Sequence, residues 1–145
     1  MVFFRELDPQ VLVADAEMHE PDMAAAAARG VTLAVNNRPD DEEPGQPSSA
    51  DLEAAARAAG LDYVHIPVGT EFSEDKVAAL TDALLGTEGR VLIFCKSGTR
   101  ATYLWALAQA KAGVAPEALD FCARRAGYNL APLMNWLRRA GASPE

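Results

Sequence analysis

The chain has 145 residues and a formal net charge of −8, from 21 acidic against 13 basic side chains, and half of its residues are hydrophobic. Such a length suits a single domain over residues 1–145 with a real core, and the acidic balance argues against nucleic acid or an anionic membrane as the main partner. An anionic substrate must then be held by a local positive site, because the overall field repels it.

No apolar run approaches the roughly 18 residues that a membrane helix requires, and no charged-then-apolar leader opens the sequence. Two cysteines, Cys95 and Cys122, make no disulfide framework in a chain this size, so a reducing, cytoplasmic setting is expected. With only two histidines besides, no metal-ligand cluster and no cofactor are expected.

In chain order, Val2-Phe3-Phe4 and Val11-Leu12-Val13 around Asp8-Pro9-Gln10 predict two short strands and a turn, an edge hairpin. Pro21 at a first helical position, the run Met23 to Ala28 and Gly30 predict a short helix; His19, just before it, reads as an exposed loop or cap residue. Val31 to Val35 predicts a buried strand leading into the polar loop Asn36 to Pro47. In a parallel sheet that loop lies at the carboxyl rim where ligands bind, although its Pro, Gly and Asp content equally fits a solvated turn. Ser48 and Asp51 form a capping pair for a helix to Ala59, ended by Gly60.

Tyr63 to Val68 predicts a further strand, with His65 as a hydrogen-bonded structural side chain. The loop Gly69-Thr70-Glu71-Phe72 carries the acid Glu71, and Ser73 caps a helix bearing Val77, Leu80 and Leu84 and closed by Gly86. Pro116 to Ala126 with Gly127, and Pro132 to Ala140 with Gly141, predict two terminal helices. Cys122, beside Leu119 and Phe121, reads as a core thiol. The alternation of elements implies an α/β fold with a mostly parallel four- to five-stranded sheet flanked by helices.

The most informative stretch is Val91-Leu92-Ile93-Phe94-Cys95-Lys96-Ser97-Gly98-Thr99-Arg100, succeeded by the helical spacing Ala101, Leu104, Trp105, Ala108. It places a cysteine where a buried strand ends and a helix begins. The first amides of that helix lack partners and its dipole is positive there, which favours a bound anion and the thiolate of Cys95. Gly98 allows the backbone of Lys96, Ser97, Gly98 and Thr99 to curl into an anion nest, and Arg100 adds a fork of donors suited to an oxyanion. A cysteine ending a core strand is often packing alone, so it is the whole hexapeptide that points to an anion-binding thiol.

Together, Asn36-Asn37-Arg38-Pro39-Asp40 through Pro47, Tyr63 to Val68, Cys95 to Arg100 and the ending Ala126-Gly127-Tyr128 resemble the phosphatase-like domain of beta-lactamase hydrolase-like proteins, over most of the chain. The resemblance implies a fold similar to dual-specificity cysteine phosphatases. It implies Cys95 as nucleophile, the amides of Lys96 to Thr99 as phosphate cradle and Arg100 as transition-state clamp, acting on an anionic small molecule or a phosphoprotein. For the general acid it nominates Glu71, in the loop after the Tyr63 strand, or Asp40 or Asp41 in the loop after Val35.

Two departures stand out. Cysteine phosphatases have five residues between Cys and Arg where this chain has four, Ala101 holding the later position, and Phe94 stands where they usually carry a histidine. A Cys-basic-x-Gly-x-Arg loop is similar instead to that of rhodanese sulfurtransferases, in which the cysteine carries a persulfide; the chain beyond Arg100 reads as helices, not as the remainder of a rhodanese domain. Three readings are therefore open: a cysteine-dependent phosphatase-like hydrolase, a sulfurtransferase working through a Cys95 persulfide, and an anion-binding module without turnover.

Overall fold

The computed structural model describes residues 1–140, so Gly141, the predicted stop of the last helix, lies outside the described residues. Its strands are β1 (Phe4–Glu6), β2 (Val11–Ala14), β3 (Val31–Asn36), β4 (Asp62–His65) and β5 (Arg90–Phe94). The helices are α1 (Asp22–Ala28), α2 (Ser49–Ala58), α3 (Glu74–Leu85), α4 (Thr99–Lys111), α5 (Pro116–Ala126) and α6 (Met134–Ala140). The five strands form one sheet in the order β1-β2-β5-β3-β4, antiparallel between β1 and β2 and parallel elsewhere.

Strand parity decides which helices each side chain meets. Val91 and Ile93 of β5, and Cys95 just beyond it, join the core that contains Val77, Leu80, Leu104, Trp105 and Leu119, contributed by α3, α4 and α5. Leu92 and Phe94 turn to the opposite core, with Met23 and Ala26 of α1 and Leu52 and Ala56 of α2. The sheet is therefore covered on both faces, which is why its central strands read as unbroken apolar runs.

Three predicted boundaries shift, each for a physical reason. Of the hairpin's two strands only β1 is an edge: β2 pairs with β5 on its other side, so the hairpin extends a parallel sheet. β4 stops at His65 because Pro67 has no amide to donate, yet the chain keeps the same course, with Ile66 N–H bonded to the Asn36 carbonyl and Val68 N–H to the Asn37 carbonyl. The last predicted helix begins as a 3-10 turn, Ala131–Leu133, before α6.

The helix starts also separate. Ser48 accepts the Asp51 amide at 3.1 Å as its spacing predicts, whereas Ser73 occupies the cap position of α3 without a side-chain cap bond. Pro21 is the cap residue of α1 and not its first helical residue. Among the described residues no helix is long and apolar enough to cross a membrane, and no three His, Cys, Asp or Glu side chains group to hold a metal ion.

Candidate active site

The segments beyond β2, β3, β4 and β5 converge at the carboxyl end of the parallel strands. Cys95 is the first residue after β5 and only 2% exposed. The backbone of Gly98 is left-handed, with φ of 93°, and its amide donates to Cys95 Sγ at 3.2 Å. That amide stands at the start of α4, where intrahelical acceptors are lacking, so its donation to sulfur favours negative charge there. Both cysteines are free thiols.

Arg100, in the first turn of α4, is drawn across to the β3 and β4 loops. Its Nη1 donates to Glu42 Oε2 at 2.6 Å and to the Val68 carbonyl at 2.8 Å, and its Nη2 donates to Glu42 Oε1 at 3.0 Å. The pairing with Glu42 is bidentate and holds the guanidinium in one orientation.

Glu42 also accepts from Arg38 Nε at 3.1 Å. Arg38 is 5% exposed, and it donates further to Glu17 at 2.6 Å and to Glu43 at 2.8 Å. Glu43 in turn holds Lys96. Three cations, Arg38, Lys96 and Arg100, are thereby matched by three carboxylates, Glu17, Glu42 and Glu43, around the mouth of the loop. Burial works against the charge of Arg38, but its hydrogen bonds to Glu17 and Glu42 outweigh it and move the pKa up. The Arg100 hydrogen bond, then that of Arg38, pulls the Glu42 carboxyl below its ordinary value. Lys96 first, then Arg38, does the same for Glu43.

Tyr128 closes the loop from the α5 side. Its hydroxyl donates to the Ser97 carbonyl at 2.9 Å, and burial, reinforced by Asp15 and Cys95, pushes its pKa up to about 12.

The sequence matches the family model "Beta-lactamase hydrolase-like protein, phosphatase-like domain" over residues 3–112. The chain belongs to this phosphatase-like family. A beta-lactamase hydrolase-like protein of Xylella fastidiosa is 42% identical over 115 residues, which are 78% of this chain and 27% of that protein. The chain thus spans little more than a quarter of that relative's length. A candidate phosphatase from Neisseria meningitidis superposes with a TM-score of 0.81 at 29% identity, covering 94% of this chain and 96% of its own. A kinase-associated phosphatase with its catalytic-site cysteine replaced by serine shares the fold, with a TM-score of 0.72 at 14% identity over 99% of this chain and 97% of its own.

In this phosphatase-like domain the predicted site residues separate into two groups. Cys95, Lys96, Ser97, Gly98, Thr99 and Arg100 lie together, although Thr99 is already the first residue of α4, so the free loop is short. Of the nominated acids, Asp40 accepts the Ser49 amide at 2.7 Å and so helps start α2, and Asp41 is exposed with φ of 61°. Glu71 is exposed and makes no hydrogen bond among the described residues. His65 bonds the Arg38 carbonyl at 2.8 Å, tying the β3 loop to β4. His19 is exposed at the rim of the ion network, 3.1 Å from Glu17. Cys122 is half-buried against the core on α5 and not a fully buried core thiol: Leu119 is buried, but its neighbour Phe121 is 61% exposed.

Glu42, Glu43, Arg38, Glu17 and Tyr128 are not singled out by the sequence as individual site residues; for Arg38, Glu42 and Glu43 the signal it offers is the polar 36–47 loop as a whole, Tyr128 stands only within the Ala126-Gly127-Tyr128 motif, and Glu17 carries none. Their pairing has a measurable consequence. A carboxylate whose folded-state pKa is depressed contributes stability above its unfolded value, and that contribution disappears as pH falls through the folded value. Glu42 and Glu43 lie below the ordinary 4.5, so a urea-unfolding series should hold level above about pH 5 and decline below it. Glu42→Gln should flatten part of that decline; an unchanged profile would show that the pair contributes nothing.

Proposed function

We propose that Cys95 is the nucleophile of a phosphatase-like hydrolase acting on phosphate monoesters. The observation that carries this reading is the Gly98 amide on Cys95 Sγ at the start of α4, which makes one loop both a thiolate site and an anion cradle. The thiolate attacks phosphorus, an S–P bond forms, and the P–O bond to the leaving group breaks with its electron pair going to oxygen. Water then attacks the phosphocysteine, releasing phosphate and returning the thiolate. Arg100, held by Glu42, faces the oxyanion as the transition-state clamp. Of the nominated carboxyls, Glu71 and Asp41 are the two left to protonate the leaving oxygen, since Asp40 is engaged at the start of α2. A free thiol nucleophile suits a reducing compartment.

A second reading, sulfane-sulfur transfer, is favoured by loop length. Four residues separate Cys95 from Arg100, α4 begins at Thr99, and the site cations are matched by carboxylates, leaving little net charge for a phosphate dianion. In that reaction the thiolate attacks the outer sulfur of thiosulfate, the old S–S bond breaks, and sulfite leaves with the electron pair, so no acid is needed.

The two are separated by incubating the protein with an aryl phosphate and with thiosulfate in parallel, monitoring product release and the mass of the Cys95 peptide. Phosphate release with a phosphoryl adduct on Cys95 supports the hydrolase. Sulfite release with one added sulfur on Cys95 transfers the assignment to the second reading. Anion binding with neither product reduces the site to a binding module.

A further inference from the structure

We propose that Tyr128 is a positioning residue for the Cys95 sulfur: by holding the Ser97 carbonyl it sets the single peptide plane whose other end, the Gly98 amide, points at Sγ. This rests on the reading of Cys95 as the nucleophile. The Ser97 carbonyl and the Gly98 N–H belong to one peptide group, and with no cis bond among the described residues the two point in opposite directions. One end is fixed by the Tyr128 hydroxyl at 2.9 Å and the other donates to Sγ at 3.2 Å. A hydrogen bond accepted by the carbonyl polarises the peptide and strengthens donation by its own N–H.

The side chain is built into this place. The phenol fills the space beside Gly98 so closely that a Cβ there would stand 2.1 Å from the hydroxyl. Tyr128 itself is placed by the end of α5: Gly127 takes a left-handed turn with φ of 97°, and the Tyr128 amide returns to the Ala123 carbonyl at 2.8 Å. The charged groups that bear on the phenol are Asp15 and Arg5 from the β1–β2 side and Cys95 itself, and a charge on the Cys95 sulfur also bears on Arg100. With its proton held tightly, the phenol stays a donor across the working range of a thiol enzyme.

Tyr128→Phe keeps the ring and removes only the donor, and the readout is the pH profile of iodoacetamide alkylation, measured by peptide mass with Cys122 as the internal reference. The Cys95 profile should move to higher pH by about half a unit, a fall of about threefold in alkylation rate below the midpoint. The plateau rate at high pH should not change, because access to the sulfur is unaltered. A variant profile superimposed on that of the wild type, with the wild-type Cys95 profile lying below that of Cys122, overturns the role of Tyr128 and leaves the nucleophile standing. A wild-type Cys95 profile no lower than that of Cys122 removes the nucleophile reading and this inference with it. A lower plateau without a shifted midpoint assigns Tyr128 to packing alone and likewise overturns the proposal.

Discussion

Cys95→Ser is expected to bring turnover of whichever donor the protein uses down to the uncatalysed background while leaving the fold intact. The hydroxyl keeps an acceptor for the Gly98 amide, now bonded to sulfur at 3.2 Å, and the side chain remains in the same apolar core. What disappears is the nucleophile. One helix-start amide and a neighbouring guanidinium can favour a thiolate, but a serine hydroxyl stays protonated unless a base takes its proton, and none of the nominated acids is held against residue 95 by a hydrogen bond. Thermal unfolding of the variant should match the wild type, so that lost turnover reports chemistry. Substantial turnover by a well-folded Cys95→Ser protein would remove the cysteine mechanism in both its forms.

Gly98→Ala is expected to cost both stability and activity. With φ of 93° an alanine is strained by about 1–2 kcal/mol. Its Cβ would also stand 2.1 Å from the Tyr128 hydroxyl, 2.7 Å from the Ala14 carbonyl and 2.9 Å from the Tyr128 Cζ, all too close to accept. Forcing atoms into a filled space costs about 1–3 kcal/mol more, giving a destabilisation of roughly 2–5 kcal/mol and a fall in Tm of about 6–20 °C. If the loop relieves the clash by turning the 97–98 peptide, the amide leaves the sulfur, and the loss of one such donor corresponds to about 100-fold in turnover. Adding Tyr128→Phe removes the hydroxyl contact but leaves the Ala14 carbonyl in place, so the double variant should not recover. A Gly98→Ala protein with wild-type Tm and turnover would mean that the left-handed turn is dispensable.

The parts of this architecture legible in the sequence are those written locally. Val91 to Phe94 and then the spacing of Ala101, Leu104 and Trp105 specify β5 and α4, and Pro116 with Gly127 brackets α5 at its observed limits. The position of Cys95 at a helix start comes from the same local pattern. Where boundaries moved, a non-local term intervened: β4 pairs only as far as Pro67 permits, and β2 becomes internal because β5, about eighty residues later, lies beside it.

The electrostatic surroundings were not legible for a related reason. Arg100 and Glu42 are 58 residues apart, and nothing in the acid-rich run Asp40-Asp41-Glu42-Glu43 tells which carboxylate will meet the arginine. The backbone decides it: Asp40 is used at the start of α2, Asp41 turns outward at positive φ, and Glu42 and Glu43 are left facing the cations. Tyr128 was visible as part of a motif, but its bond to Ser97 depends on how α5 docks.

That dependence carries a consequence for how the protein is made. A polypeptide is synthesised from its amino end, so Cys95 is complete before Tyr128, 31 residues beyond Ser97, has been added. Until α5 has been synthesised and has packed against α4, the 97–98 peptide lacks the anchor that Tyr128 gives its outer side. The loop geometry around Cys95 is therefore completed only in the finished fold, and a growing chain carries residue 95 without the packing that leaves it 2% exposed in the native state.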